Sequence, residues 1–187
     1  MARIITFSLK FPAYHPKIGQ PTFFVEKMLN DLGTDYTTVQ YYGMLSVWNE
    51  EKLKDGRLSI LDLQEFFISL RVDVMECKAH TIRSGNRFKA GDTFAPCVWT
   101  DKVNPKSGRK GAYQSPQIQF APNIEVKKTW DTTIQGGLMW VNHQGIVTSD
   151  VERVAINDGL SYIDFRSWFY GKEFSGTIIC WNDKIEY

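Results

Sequence analysis

The chain has 187 residues, 43% hydrophobic and 14% aromatic, and its 22 Lys and Arg against 21 Asp and Glu give a formal net charge of +1. This composition excludes a disordered chain, and no run reaches the roughly 18 apolar residues that a membrane helix needs. Three cysteines without a Cys-x-x-Cys pair indicate reduced thiols rather than a disulfide framework or a zinc ribbon. We therefore expect one cytoplasmic domain over 1–187, without a signal peptide or a membrane partner.

The first half of the chain predicts one strand and two helices. Residues 4–11 are mostly apolar and lead into a proline-containing loop, which is typical of a strand and its end. Residues 21–33 place apolar side chains at helical spacing between a proline and a glycine. Residues 59–71 predict a second amphipathic helix, with a serine cap. Because no period dominates at 34–57, we interpret 34–73 as an inserted helical and aromatic segment.

The second half changes to short apolar runs separated by glycine and proline, a pattern that indicates strands joined by loops. Two strands around a tight loop are expected at 78–83 and 88–100, followed by a long polar loop at 101–117. Further elements are expected as strands at 118–122, 125–133, 138–141, 145–148 and 176–181, a turn at 157–159 and a short helix from 161 to about 169. Together these elements predict an α+β fold with a small barrel or curved sheet and flanking helices.

Residues 78–83 hold the most informative chemistry. In a regular strand Thr81 and Arg83 share one face, and His80 lies on the other. If the strand begins only at His80, Lys78 lies on the preceding turn and its ammonium can fold back over Thr81. A threonine needs a base to become a nucleophile, and lysine serves as that base only if its pKa falls well below about 10.4. A solvated lysine and an ordinary strand threonine are the alternative interpretation.

The pattern Lys78-x-x-Thr81-x-Arg83, followed by a short loop and Phe-Lys-x-Gly-Asp at 88–92, resembles the signature of the ASCH domain, a relative of the PUA RNA-binding fold. Residues 5–11 look like the opening strand of that family. The order and spacing of these residues carry the resemblance.

The C-terminal part is similar to the ending of the same family. It has an acidic residue and a glycine within 154–161, then an amphipathic helix, then Phe174-x-Gly176 before the last strand. The resemblance covers roughly 4–32 and 76–181. The 34–73 segment and the 101–117 loop are larger than a minimal domain of this kind contains.

The resemblance implies a small PUA-like β-barrel whose cleft faces RNA or a modified nucleoside or nucleotide. In bacterial members that act as amidohydrolases on N4-acetylcytidine, the lysine and the threonine of this segment are base and nucleophile, and a later glutamate assists proton transfer. It therefore implies Lys78 as base and Thr81 as nucleophile, with the acidic position at or near Asp158. Aspartate is one methylene shorter than glutamate, and it must still come within about 3 Å of its proton. Turn formation by Asn-Asp-Gly is the alternative explanation of Asp158.

Three further side chains are candidate substrate contacts. Arg83 can hold a phosphate or a base edge through its two-pronged guanidinium, and a surface ion pair is the alternative. His80 and His15 are candidates to line the same cleft, and for His15 an ordinary loop histidine is the alternative. Cys77 and His80 would project to opposite faces of a regular strand, so we expect no metal site and no cofactor.

The loop at 101–117 is the candidate nucleic-acid surface. It combines cations for phosphate tracking with an aromatic ring for base stacking, in Lys102, Lys106, Arg109, Lys110 and Tyr113. A flexible, solvated loop is the alternative. The sequence therefore predicts a domain that binds RNA or a modified nucleoside, with hydrolysis of an N4-acylated cytidine as its enzymatic form. A non-catalytic nucleic-acid or protein interaction module using the insertion and this loop is the other hypothesis.

Overall fold

The computed structural model describes residues 3–171 and 173–187. Over these residues the chain forms six α-helices and nine β-strands in two sheets, which confirms the α+β class. The helices are α1 (Phe24–Asp31), α2 (Val39–Trp48), α3 (Glu50–Lys54), α4 (Ile60–Ser69), α5 (Thr148–Asn157) and α6 (Tyr162–Phe169). The strands are β1 (Arg3–Phe7), β2 (His80–Ser84), β3 (Thr93–Trp99), β4 (Gln117–Gln119), β5 (Ile124–Glu125), β6 (Lys128–Gln135), β7 (Leu138–Val141), β8 (Gln144–Gly145) and β9 (Phe174–Cys180).

The chain divides into two compact units, each built from three segments. The first comprises the described residues of Met1–Leu9, Phe23–Met75 and Phe94–Ile124. The second comprises those of Lys10–Thr22, Glu76–Thr93 and Glu125–Tyr187. A single domain over 1–187 stays a prediction. None of the helices in the described part of the chain is both long enough and apolar enough to cross a membrane.

The first unit contains a four-stranded sheet and the helices α1 to α4. In this sheet β1 runs parallel to β3, β4 runs antiparallel to β3, and β5 also pairs with β3. Both predicted helices are confirmed as α1 and α4. The side chain of Ser59 accepts a hydrogen bond from the Asp62 amide at 3.2 Å, and the Asp62 carboxylate accepts one from the Ser59 amide at 2.7 Å. This reciprocal cap explains why α4 begins where the sequence indicates.

The segment at 34–57 forms α2 and α3, which the apolar pattern did not reveal. On α2 only Tyr41 and Leu45, four residues apart, are buried, and the Tyr41 hydroxyl donates a hydrogen bond to the Phe120 carbonyl at 2.7 Å. Apolar residues also occupy the outer face of α2, where Val39 is 84% exposed. Because both faces carry apolar side chains, no single helical stripe stands out in the sequence.

The second unit is built on a five-stranded antiparallel sheet in the order β2-β9-β6-β7-β8. In this sheet β9 lies between β2 and β6. The two strands predicted at 78–83 and 88–100 exist, but they do not pair with each other. β2 pairs with β9, whereas β3 pairs with β1 and β4. β3 also begins later than expected, because Gly91 adopts φ +87° and forms a turn with its neighbours.

The helices of this unit are α5 and α6. The short helix predicted after Ser161 is confirmed as α6, and the Ser161 hydroxyl accepts a hydrogen bond from the Asp164 amide at 3.1 Å. α5 was not predicted, and its first residue lies where a strand was expected at 145–148. The buried residues Val151, Val154 and Ala155 have helical spacing. That spacing was available in the sequence as a signal for α5.

Candidate functional site

The candidate site lies in the second unit, where the residues before β2 meet the end of α5. β2 begins at His80, so Lys78 lies outside the strand, as one of the two sequence interpretations required. The Ala79 amide donates a hydrogen bond to the Asn157 carbonyl at 2.8 Å. This backbone contact fixes residues 78–79 against the last turn of α5 and places Lys78 beside Asp158.

Lys78 and Asp158 form a buried ion pair, although they are far apart in sequence. The Lys78 ammonium donates hydrogen bonds to Asp158 Oδ1 and to the Asp158 carbonyl oxygen, both at 2.5 Å. The side chains of Lys78 and Asp158 are 1% and 6% exposed. Burial is the largest influence on Asp158 and raises the pKa of its carboxyl above the usual value, although the charges of Lys78 and Arg83 act in the opposite direction.

This pair can exchange a proton internally. Two charges in a dry environment lose most of their hydration, and this loss can outweigh their attraction. Transfer of a proton from Lys78 Nζ to Asp158 Oδ1 converts the ion pair into a neutral amine and a neutral carboxylic acid. The raised pKa of Asp158 favours that transfer. A neutral amine is the form of lysine that can take a proton from a nucleophile.

Thr81 is buried in β2, opposite Ile179 of β9. Among the residues that the structure describes, none forms a hydrogen bond with the Thr81 hydroxyl. The structure thus brings together Lys78 and Asp158 of the predicted catalytic set, but no hydrogen bond joins Lys78 to Thr81.

His80 contributes a buried imidazole to the same centre. Its side chain is fully buried, and neither ring nitrogen has a hydrogen-bond partner in the described part of the chain. Nδ1 lies 3.8 Å from Asp158 Oδ1, beyond a normal hydrogen bond. Burial, assisted by the charge of Lys78, holds the pKa of His80 well below its usual value, and the Val154 backbone acts more weakly in the opposite direction. His80 is therefore neutral near pH 7.

Tyr187 covers His80, a role that no sequence signal indicated. Its ring meets the His80 ring edge-on at 5.5 Å and the Trp130 ring at 5.0 Å between centroids. The Asn157 side-chain amide donates a hydrogen bond to the Tyr187 hydroxyl at 2.8 Å. These contacts, made by three different elements of the unit, close one side of the centre against water.

We expect stability to fall as the pH is lowered from 7 to 5, because of His80. The unfolded chain takes up a proton at His80 near its usual pKa of about 6.5, whereas the folded chain does not. More protons are then bound in the unfolded state, so the free energy of unfolding decreases with falling pH by at most about 1.4 kcal/mol per unit for this group. Urea unfolding at several pH values measures the slope.

His80→Leu is expected to reduce this pH dependence. The matched control is His143→Asn, because His143 is exposed and has a positive φ that asparagine tolerates. The same slope in wild type and His80→Leu would contradict the assignment.

Arg83 and His15 differ in their relation to the centre. Arg83 is half-buried in β2, and its charge opposes the rise that burial causes in the pKa of Asp158. His15 instead contacts α6, since its Nε2 lies 3.2 Å from the Asp164 carbonyl oxygen and its ring stacks on Phe11 at 4.3 Å. Arg83 therefore acts on the buried pair, whereas His15 holds the 10–22 loop to α6.

The predicted basic loop belongs to the first unit and is largely neutralised by acidic side chains. Three of its cations form ion pairs, Lys102 with Glu65 at 2.9 Å, Lys106 with Asp55 at 3.2 Å and Lys110 with Asp101 at 3.2 Å. The contact with Glu65 raises the pKa of Lys102. Tyr113 is 86% exposed, and its ring lies 5.6 Å from that of Trp99. Arg109 is also exposed. The positive residues of the loop sequence therefore overstate its charge, because Glu65 and Asp55 from other parts of the unit lie beside them.

In the described ranges, 3–171 and 173–187, no three His, Cys, Asp or Glu side chains are grouped so that they could hold a metal ion. Comparisons of the chain with protein-family models, with curated proteins and with solved structures give no match.

Proposed function

We propose that this chain is a cytoplasmic ASCH-type domain that binds a modified nucleoside, free or within RNA, and hydrolyses the acyl amide of an N4-acylated cytidine. One observation carries the proposal, the buried contact between Lys78 and Asp158 at the start of β2. The family resemblance implies catalytic roles for both residues from motif order alone. The small PUA-like barrel of that family is also part of the proposal.

In the proposed reaction a proton first passes from Lys78 to Asp158, so that the resting ion pair becomes a neutral amine and a neutral acid. Lys78 turns from Asp158 to the Thr81 hydroxyl and takes its proton, and Oγ1 forms a bond to the acyl carbon. As the amide bond breaks, Asp158 gives its proton to N4 of the departing cytosine. Water then attacks the threonine ester and loses a proton to Asp158, and Lys78 returns its proton to Oγ1. The products are cytidine and a carboxylic acid, and the enzyme regains its initial protonation.

Incubation with N4-acetylcytidine, with cytidine release followed by chromatography, tests the proposal. Wild type is expected to release cytidine, and Lys78→Met is expected to lower the rate by about 100-fold or more, because a general base contributes about 10²–10⁴. Thr81→Val removes the nucleophile and should abolish release, while Thr81→Ser keeps a hydroxyl and should retain part of it. Thr133→Val, the same change at an exposed position of β6, is the matched control.

Two results would reject hydrolysis at this centre. One is the absence of cytidine release by wild type. The other is undiminished release by a folded Lys78→Met variant, with folding checked by circular dichroism.

A non-catalytic RNA reader is the second candidate, and the closed state of the centre favours it. Lys78 is almost inaccessible, and Tyr187 covers His80, whereas the cations of the basic loop are exposed. Exposed ion pairs contribute only about 0–1 kcal/mol, so phosphates can displace their carboxylates. This candidate is favoured if wild type shows salt-dependent RNA binding without hydrolysis. Loss of that binding when Lys106, Arg109 and Lys110 are neutralised would assign it to the loop.

A further inference from the structure

A second cleft lies in the second unit, between the 10–22 loop and the exposed face of α6. Its volume is about 500 Å³. The residues that line its walls include Tyr14, Tyr162, Ile163, Arg166, Ser167 and Tyr170. None of them belongs to the Lys78–Asp158 centre, so this inference does not depend on the proposed function.

The walls of this cleft are held in place by a network behind them. The Lys17 amide donates a hydrogen bond to His15 Nδ1 at 3.1 Å, which leaves the proton on Nε2 to face the Asp164 carbonyl. The Lys17 ammonium also contacts Asp164 Oδ2 at 2.7 Å. Trp168 packs edge-on against Phe11 at 5.7 Å. The loop that carries Tyr14 is therefore fixed to the helix that carries Arg166, and a ligand would meet a preformed site.

The chemistry of the cleft combines aromatic faces with the positive charge of Arg166. Tyr162 and Arg166 of α6 and Tyr170, which caps its C-terminus, are spaced four residues apart and lie on one face. The Arg166 guanidinium lies 5.7 Å from the centre of the Tyr162 ring and 5.3 Å from that of Tyr170. Arg166 is exposed, and no carboxylate among the described residues lines the cleft. The site therefore favours an anion. It does not favour a ligand cation, because the Arg166 guanidinium already occupies the position beside the two tyrosine rings that such a cation would take.

We propose that this cleft binds a nucleoside 5′-monophosphate group, with the base against the tyrosine rings and the phosphate on Arg166. Tyrosine faces stack on planar bases, and the guanidinium matches two phosphate oxygens at once. Small-ligand sites have volumes of roughly 300–1,000 Å³, and this cleft lies within that range. The Ser167 hydroxyl supplies a neutral hydrogen-bond donor at the same wall. Inorganic phosphate alone would make no use of the aromatic rings or of the exposed Ile163.

Titration calorimetry with adenosine 5′-monophosphate tests this site. Adenosine lacks the phosphate and ribose 5-phosphate lacks the base, so each is expected to bind at least about tenfold more weakly, a difference of roughly 1.4 kcal/mol. Arg166→Gln and Tyr162→Ala are each expected to weaken binding of the mononucleotide by about tenfold. Arg166→Lys should give an intermediate loss, because it keeps the charge but not the two-pronged contact. Arg57→Gln, the same change at an arginine that does not line the cleft, should have no effect.

A hexaadenylate strand is the second probe. It distinguishes a free mononucleotide from a nucleotide within a chain as the source of the bound group. Binding of both probes, with the same sensitivity to Arg166→Gln, assigns the site to the nucleotide unit wherever it occurs. Binding of the strand alone assigns it to nucleotides within a chain. The proposal is overturned if neither probe binds, if ribose 5-phosphate binds as tightly as the mononucleotide, or if Arg166→Gln leaves the affinity unchanged.

Discussion

Replacement of Asp158 by alanine is expected to lower the free energy of unfolding by about 3–5 kcal/mol, the usual cost of breaking a buried ion pair from one side. The variant would leave the Lys78 ammonium buried without the carboxylate that now lies 2.5 Å away. A charge in that position cannot recover its hydration unless the surrounding structure opens. Urea unfolding followed by circular dichroism at pH 7 measures the change.

Two further variants test whether the loss of stability comes from the unpaired charge. Asp150→Ala removes an exposed carboxylate of α5 that lies 3.3 Å from Arg153, and it should cost less than about 1 kcal/mol. The double variant Lys78→Met with Asp158→Ala leaves no charge in the centre, so it should recover a large part of the loss. An equal loss in the single and the double variant would show that packing, rather than the unpaired charge, sets the cost.

Gly176→Ala is expected to destabilise the protein by at least about 3 kcal/mol, because overpacking here involves backbone rather than a mobile side chain. A Cβ at this position would lie 2.1 Å from the Arg83 carbonyl oxygen and 2.8 Å from the Arg83 carbonyl carbon. Gly176 lies in β9, opposite Ser84 of β2 and Thr132 of β6, so neither side can move away without breaking sheet pairing. Thermal or urea unfolding measures the loss.

Ser175→Ala is the control for that change, because Ser175 is the exposed neighbour of Gly176 in the same strand. It is expected to alter the free energy of unfolding by no more than about 0.5 kcal/mol. If Gly176→Ala proves as mild as the control, β2 and β9 are less closely fixed than their register indicates. Packing therefore explains the glycine of the Phe174-x-Gly176 pattern. Because Gly176 has no Cβ, β2, the strand that follows Lys78, can lie close to β9.

Local features of the sequence were sufficient for several elements. The caps at Ser59 and Ser161 predicted α4 and α6, because a serine cap acts within one helical turn. The stripe between Pro21 and Gly33 predicted α1 for a similarly local reason. Where the local pattern was ambiguous, as on α2, the helix was missed, since burial of Tyr41 is decided by Phe120 and not by its neighbours in sequence.

The candidate site shows the same difference between what local sequence features predict and what contacts between distant residues decide. The resemblance selected Lys78 and Asp158 from motif order, but the sequence could not show that the ammonium and the carboxylate touch. It also gave no sign of Tyr187 covering His80. Side chains that are distant in sequence meet only when the sheet and the helices bring their backbones together, and burial then sets the pKa values.

By itself, the sequence determined the α+β class, most of the regular elements and a short set of residues able to carry chemistry. Only the tertiary structure decided that β2 pairs with β9 rather than with β3, and that Asp55 and Glu65 offset the charge of the basic loop. It also assembled the tyrosine cleft around Arg166. The physical reason is that caps and turns depend on neighbours along the chain, whereas strand pairing, desolvation and charge compensation depend on neighbours in space.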